Sequence, residues 1–122
     1  MYKSKQDFSK SEHIKKRELF ARLFKHGRYF KVKDFSLRVI ENNLCISRLG
    51  ISIQSKVFGK AVDRNKIKRL IRDVFRRNKA DLLKGYDVIV RPKFLHLINI
   101  GYNNIQEQLL ELFKKAGIYK KR

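Results

Sequence analysis

Cysteine, proline and tryptophan are almost absent from this sequence, and their scarcity excludes several kinds of site. The single cysteine, Cys45, cannot form a disulfide within the chain, which suits a reducing compartment, and its residue type is usually buried as a small apolar side chain. The three histidines, His13, His26 and His96, lie far apart and have no second cysteine or carboxylate at metal-binding spacing. A zinc site is therefore not supported.

Long apolar runs are missing as well. No stretch approaches the ~18 residues of a membrane span, and residues 1–17 lack the apolar segment of a secretory signal. We therefore expect a cytoplasmic protein that does not enter a membrane.

Acidic residues are scarce relative to basic ones. The chain has 31 Lys and Arg against 11 Asp and Glu, so its formal net charge is 31 − 11 = +20. Such a charge repels itself in a compact state and favours a polyanionic partner: nucleic acid, an anionic membrane surface or an acidic protein. With 43% hydrophobic residues the chain can still form a core. We predict one domain over residues 1–122 with frayed tails at 1–10 and 119–122.

The spacing of apolar residues predicts six elements. Helical spacing occurs over Glu12 to His26, roughly Ala61 to Asn78, and from Asn103 to Gly117, with Asn103 and Gln106 placed as a capping box. Strand spacing occurs over Phe35 to Val39, Leu44 to Ile53 and Asp87 to Val90, the last as a strand buried on both faces. We predict that the first two strands form a hairpin around a turn at 41–43.

The order α-β-β-α-β-α predicts an α+β (or α/β) sandwich with helices packed on a small sheet. A β-α-β crossover links the second and third strands. If these strands are parallel neighbours, the general rule makes that crossover right-handed.

The middle helix carries the most informative pattern. At about 100° per residue, Ile67, Leu70, Ile71, Val74 and Phe75 share one arc. A second arc, roughly 145° away, holds six polar residues, which we call the basic row: Arg64, Asn65, Lys68, Arg69, Arg72 and Arg76. The ordinary interpretation of such a face is a solvated surface. However, the row contains no acid, like charges at one-turn spacing repel, and arginine suits phosphate oxygens, so it favours binding to a polynucleotide backbone.

Two features refine this interpretation. Asn65 supplies a neutral donor and acceptor that could bond a 2′-hydroxyl or a base edge, which favours RNA. If about five phosphates are neutralised, the logarithm of the binding constant should fall with the logarithm of salt concentration with a slope of about −4 for a duplex, and less steeply for single strands.

Aromatic residues form a second candidate site. Phe20 and Phe24 lie one turn apart on the first helix, and Phe35 lies on the first strand. Aromatic faces in a basic groove are typical of sites for single-stranded nucleic acid. From the residues alone, packing of these phenylalanines in the core is the favoured interpretation. Arg38 alternates to the opposite face of the strand from Phe35 and is predicted to be a surface cation.

A long motif in this region resembles a known family. The run Phe58-Gly59-Lys60-Ala61-Val62-Asp63-Arg64-Asn65-Lys66-Ile67-Lys68-Arg69-Leu70-Ile71-Arg72 is similar to the Arg-Asn-Arg-type motif of bacterial ribonuclease P proteins, with Lys66 at the position of the second arginine. Three other stretches agree with that family: Leu23-Phe24-Lys25-His26-Gly27, Arg48-Leu49-Gly50-Ile51 and Gly85-Tyr86-Asp87-Val88-Ile89-Val90. The resemblance covers nearly the whole chain.

The resemblance implies a function in tRNA processing. The family binds a large catalytic RNA, which performs the Mg²⁺-dependent hydrolysis that removes the 5′ leader of precursor tRNA, and the protein helps to hold that leader. The implied partners are ribonuclease P RNA and precursor tRNA. No further protein partner is required, and dimerisation of the holoenzyme is left open. The implied crossover around the basic helix is left-handed, against the general rule.

The resemblance also assigns residues. Arg64, Asn65, Lys68, Arg69 and Arg72 match the RNA-facing positions of the family motif, and we predict Arg76, Lys56 and Lys60 as further contacts to the catalytic RNA. For the leader, Phe20 and Phe24 match aromatic positions of the family's cleft, which reverses the preference for core packing, and we add Phe35 and Arg38. No catalytic residue and no metal ligand is predicted on the protein, and Mg²⁺ is expected on the RNA and substrate.

The sequence also bears on three other function classes. A ribosomal or general RNA-binding protein fits the charge and size equally well, and only the long motif disfavours it. A nuclease active without RNA is disfavoured because the acidic residues show no paired metal-site spacing and no histidine–acid constellation. Membrane-surface binding is disfavoured because the apolar arc of the basic helix has no tryptophan and suits core packing.

Overall fold

The computed structural model describes residues 17–120, which fold into three helices and four strands with two short 3-10 helices. The helices are α1 (Arg17–His26), α2 (Ala61–Asn78) and α3 (Tyr102–Lys115). The strands are β1 (Arg28–Lys31), β2 (Phe35–Glu41), β3 (Arg48–Ile51) and β4 (Tyr86–Pro92). The 3-10 helices span Lys79–Asp81 and Leu95–Asn99. The predicted α+β class is confirmed, and α2 has the bounds that its periodicity predicts.

The ends of the chain were predicted to fray. The tail at 1–10 and the part of the first helix before Arg17 lie outside the described residues, as do residues 121 and 122. Tyr119 pairs with Leu82 in a β-bridge, and the Lys120 N–H donates to the Asp81 carbonyl at 2.7 Å. The backbone is therefore held in place through Lys120, beyond the residue at which fraying was predicted to begin.

The strand order β1-β2-β4-β3 corrects the predicted hairpin. β4 lies between β2 and β3, antiparallel to the first and parallel to the second. The alternation of apolar and polar residues identified β2 and β3 as strands, but it does not determine which strands pair. β4 is central because residues 87–90 are buried on both faces, as predicted. The β3–α2–β4 crossover therefore joins parallel neighbours, and its left-handedness remains a prediction of the family resemblance.

The segment between β2 and β3 contains two further departures from prediction. Since β2 and β3 are not neighbours, residues 42–47 carry the chain past the end of β4 instead of forming a hairpin turn. Cys45 lies in this connection and is exposed, not buried. β1 was missed because its residues, Arg-Tyr-Phe-Lys, are mostly exposed at the sheet edge and show no clear alternation of apolar side chains.

The main core lies between one face of the sheet and the helices α2 and α3. β2 contributes Phe35, Leu37 and Val39, while α2 and α3 contribute their apolar stripes. α1 packs on the other face, where Leu23 contacts Ile89 of β4. The sheet is thus covered by two helices on one face and by one short helix on the other, which leaves part of the second face open to solvent.

α3 begins without the predicted capping box. Its N-cap is Gly101, at φ +87°, and no side chain caps the helix, which starts one residue before Asn103. Its end follows the prediction: Gly117 takes φ +76°, its N–H donates to Lys114, and the Ile118 N–H donates to Phe113. This is a Schellman arrangement, in which glycine avoids the strain of the left-handed conformation.

Asp87 is a buried carboxylate with a complete set of partners. Arg48 donates from Nε to Oδ1 and from a terminal nitrogen to Oδ2, each at 2.7 Å, and the Asn42 amide donates to Oδ1 at 2.7 Å. This hydrogen-bonded pairing raises the pKa of Arg48 despite its partial burial. Asn42 also bonds Ile46 and Leu44, so the cluster fastens the β2–β3 connection to β4.

We expect Asp87→Ala to lower the free energy of unfolding by about 3 kcal/mol, because it leaves the half-buried Arg48 without its carboxylate. Urea denaturation measures the loss. The matched control is Asp73→Ala, which breaks the more exposed Asp73–Arg76 pair and should cost under about 1 kcal/mol. Equal losses for the two variants would contradict a structural role for the Asp87 cluster.

Candidate nucleic-acid interface

The basic row lies along one side of α2, as its spacing predicts. The helix is continuous from Ala61 to Asn78, and it buries Ile67, Ile71, Val74 and Phe75 in the main core. Asn65, Arg69 and Arg72 are exposed on the outer side, and Arg64, Lys68 and Arg76 are half-buried. Within residues 17–120, no carboxylate is paired with Lys68, Arg69 or Arg72. These three cations are available to an external anion.

Two members of the row have partners within the protein. One terminal nitrogen of Arg64 donates to the carbonyls of Phe58 and Gly59, at 3.0 and 2.9 Å. Arg64 therefore also positions the loop that leads into α2. Arg76 lies 3.5 Å from Asp73, a weak and partly exposed pair that an external phosphate could displace.

The predicted contacts Lys56 and Lys60 lie just before α2. Lys56 is exposed in the turn after β3, and Lys60 is the N-cap residue, exposed and in extended conformation. The Lys60 side chain makes no capping hydrogen bond to the helix. Both lysines continue the positive surface at the N-terminal end of the helix, where the helix dipole also favours anions.

A cleft opens on the other face of the sheet, beside α1. Its volume is about 340 Å³. We call it the aromatic cleft, and its lining consists of Phe24, Tyr29, Ser36, Arg38, Gln54, Ile89, Arg91, Lys93 and Phe94. The lining contains three basic residues and no carboxylate, so the cleft favours an anionic ligand.

Arginine and aromatic side chains alternate along the cleft. The Arg38 guanidinium carbon lies 4.8 Å from the centre of the Tyr29 ring and 5.2 Å from that of Phe24. The Arg91 guanidinium carbon lies 5.2 Å from the same Phe24 ring. Arg91 also donates to the Ser52 hydroxyl at 3.1 and 3.3 Å. These contacts hold flat side chains in place with donor groups beside them, which suits a stacked base and its phosphate.

The predicted leader-binding residues divide between the two faces of the sheet. Phe24 and Arg38 line the aromatic cleft, and Phe24 is 37% exposed. Phe20 is half-buried against the Leu23–Ile89 contact and is not part of the lining. The prediction for Phe35 is wrong. Phe35 is 0% exposed in the main core, because the alternation of β2 that turns Arg38 toward the cleft turns Phe35 away from it.

Sequence reasoning missed seven of the nine residues that line the cleft. Tyr29 was missed with its strand, and Arg91, Lys93 and Phe94 were missed because they lie beyond the apolar run from which β4 was predicted. A signal was present for Arg91: in β4 it alternates with Val88 and Val90, so it had to face away from the main core. What no pattern supplied was the pairing of Arg91 with Ser36 of β2, which brings the two halves together.

Comparison with known proteins decides the family. The Ribonuclease P family profile matches residues 8–117. This chain belongs to the ribonuclease P protein family. It is 37% identical over 108 residues to the ribonuclease P protein component of Natranaerobius thermophilus, covering 88% of this chain and 92% of that one. It is 39% identical over 116 residues to that of Dictyoglomus turgidum, covering 93% and 96%.

Solved structures of the family have the same fold. The Thermotoga maritima ribonuclease P protein superposes with a TM-score of 0.78 at 36% identity, covering 85% of this chain and 96% of that one. The Staphylococcus aureus protein superposes with a TM-score of 0.80 at 33% identity, covering 90% and 99%. The resemblance read from the Arg64-Asn65 motif is therefore confirmed, and the chain is a protein component of the tRNA-processing enzyme ribonuclease P.

Within residues 17–120, no three His, Cys, Asp or Glu side chains gather as a metal-binding group. Over the same residues, no helix combines the length and apolarity that crossing a bilayer requires.

Proposed function

We propose that this protein binds ribonuclease P RNA through the basic row of α2 and the 5′ leader of precursor tRNA through the aromatic cleft. The two RNA contacts together assist the removal of the leader to give the mature tRNA 5′ end. The catalytic RNA performs the hydrolysis, and Mg²⁺ held by the RNA and substrate would supply Lewis-acid chemistry there. The side chains of the protein hold and orient RNA, and none of them is assigned a catalytic step.

The aromatic cleft is the observation that supports the proposal most directly. A site that alternates arginine with aromatic rings and has no carboxylate in its lining is suited to single-stranded nucleic acid. A duplex does not suit this small cleft, because its bases are stacked on one another within the helix and cannot stack on the aromatic rings of the cleft. The 5′ leader is the single-stranded part of a precursor tRNA, so it is the segment that the cleft can accept.

The position of the two surfaces supports simultaneous binding. α2 packs on the face of the sheet that forms the main core, and the cleft lies on the opposite face. The basic row and the cleft therefore do not compete for one strand of RNA. A protein built in this way can hold a leader while it is bound to a second RNA.

Reconstitution tests the proposal. We expect the full chain, mixed with transcribed ribonuclease P RNA, to accelerate precursor tRNA cleavage at low Mg²⁺, while the protein alone gives no cleavage. In this holoenzyme, Phe24→Ala should weaken precursor tRNA binding about tenfold, since loss of one stacking surface has an effect of that order. Binding of mature tRNA should change much less.

Leu83→Ala is the matched control, because Leu83 is as exposed as Phe24, at 37%, and lies outside the cleft. Equal losses on precursor and mature tRNA in Phe24→Ala would indicate a damaged fold and contradict leader binding. Equal affinity for ribosomal RNA and ribonuclease P RNA at matched salt would instead favour a general RNA-binding protein.

A further inference from the structure

The segment after β4 places apolar and aromatic side chains in solvent. Phe94 is 47% exposed and Leu95 is 45% exposed, and the His96 side chain is 51% exposed. The segment is nevertheless well anchored. Leu97 is fully buried, its N–H donates to the Phe94 carbonyl, and the Lys93 N–H donates to the Asp34 carbonyl at 2.9 Å. The exposure of Phe94 is therefore a property of a fixed backbone.

The His96 ring lies beside Phe94. The two ring centres are 5.8 Å apart with an angle of 15° between the planes, an offset stacked arrangement. The other side of the histidine meets a buried carboxylate: His96 Nε2 lies 3.4 Å from Asp34 Oδ1. Asp34 itself is held by Gln108 of α3, whose amide nitrogen donates to Oδ2 at 2.7 Å. A chain of contacts thus runs from α3 through Asp34 and His96 to the Phe94 ring.

Phe94 also lines the aromatic cleft, together with Arg91 and Lys93. The exposed part of the Phe94 ring shares the cleft lining with the cations Arg91 and Lys93. The lining contains no carboxylate. A ligand that satisfies this environment combines a flat apolar surface with negative charge. A nucleotide has both properties, whereas an apolar protein segment would leave the cations without partners.

We propose that Phe94, supported by His96 and Asp34, is a stacking platform for a nucleobase of single-stranded RNA at the end of the aromatic cleft. The inference rests on the proposed function, because the strand concerned is the leader held in that cleft. Phe94 contacts the base, Lys93 and Arg91 contact the adjoining phosphates, and His96 is a positioning residue for the ring. The platform extends the leader site beyond the Phe24, Tyr29 and Arg38 stack to a further nucleotide.

The test uses the reconstituted holoenzyme and precursor tRNAs that carry a single 2-aminopurine at successive leader positions. Stacking on an aromatic ring quenches the fluorescence of this base. We expect stopped-flow binding to detect a leader position whose quenching is lost in Phe94→Ala and retained in Phe94→Tyr. Affinity for the long leader should fall about 5- to 100-fold in Phe94→Ala, the range for one stacked base. His96→Ala should reduce the quenching at the same position only, because the ring remains but loses its support.

Leu95→Ala is the control, since it removes a neighbouring exposed apolar side chain without touching the cleft lining and should change neither quenching nor affinity. If Phe94→Ala quenches the 2-aminopurine fluorescence as strongly as the unmodified protein at every leader position, the platform is overturned. Equal losses in Phe94→Ala and Phe94→Tyr would overturn it as well. If the unmodified holoenzyme binds precursor and mature tRNA equally, the proposed leader site itself fails, which separates that failure from failure of the platform alone.

Discussion

Simultaneous replacement of Lys68, Arg69 and Arg72 by alanine should weaken binding to ribonuclease P RNA by about 100-fold or more. Arg69 and Arg72 are exposed on the outer side of α2 and Lys68 is half-buried beside them, and none of the three has a carboxylate partner within residues 17–120. Each charge-assisted contact to phosphate contributes on the order of 1 kcal/mol or more, so three together reach this size. The affinity is measured by filter binding of labelled RNA.

The salt dependence of the same variant gives a second measure. Loss of three phosphate contacts should reduce the magnitude of the log–log salt slope by about 3, because each contact releases close to one counterion. Arg64 is left unchanged in this design. Its bonds to the carbonyls of Phe58 and Gly59 mean that replacing it would also disturb the loop before α2.

The matched control removes the same charge from other elements, through alanine at Lys84, Lys114 and Lys120. If net charge alone governs RNA binding, the two triple variants should lose affinity equally. We expect the control to lose much less, because these lysines do not lie on α2. Equal losses, or an unchanged salt slope in the α2 variant, would contradict assignment of the RNA-binding surface to the basic row.

Phe35→Ala should lower the free energy of unfolding by about 3–5 kcal/mol, the range for removing a buried phenylalanine ring. Phe35 is 0% exposed and belongs to the main core, so its loss leaves a cavity between the sheet and the helices. Phe24→Ala should cost about 1 kcal/mol or less, because that ring is partly exposed at the rim of the cleft. Urea denaturation of the two variants measures the difference.

The comparison separates a core residue, Phe35, from a residue of the cleft lining, Phe24, which sequence reasoning had assigned to one site. Phe35→Leu is the accompanying variant, since it keeps most of the apolar volume and should recover much of the stability. A Phe35→Ala protein as stable as the parent, with weaker leader binding, would restore the original assignment of Phe35 to the leader site.

Local patterns were sufficient for the parts of this protein that depend on a single element. The bounds of α2 and the side on which its basic row lies follow from the 3.6-residue period, because Ile67, Ile71 and Val74 must face a core wherever that core is. The Gly117 termination of α3 is equally local, since it depends on one residue's freedom to adopt positive φ. The family was recognisable because its motif is one continuous run of residues, most of which lie in α2.

Features that need two distant segments were not accessible in this way. The position of β4 between β2 and β3 depends on pairing across the chain, and alternation is the same whichever strands are neighbours. The contact of His96 with Asp34 joins residues that no local spacing relates, and it is the kind of histidine–acid pair that the sequence did not indicate.

The amino-acid sequence by itself determined that the chain is strongly basic and carries one outward row of cations on a long helix. It did so because charge and helical period are properties of neighbouring residues. Only the tertiary structure decided which aromatic residues line the cleft. Strand pairing places Arg38 and Arg91 on the same face of the sheet, where both contact the Phe24 ring, while Phe35 turns into the core; that outcome depends on long-range hydrogen bonding and packing.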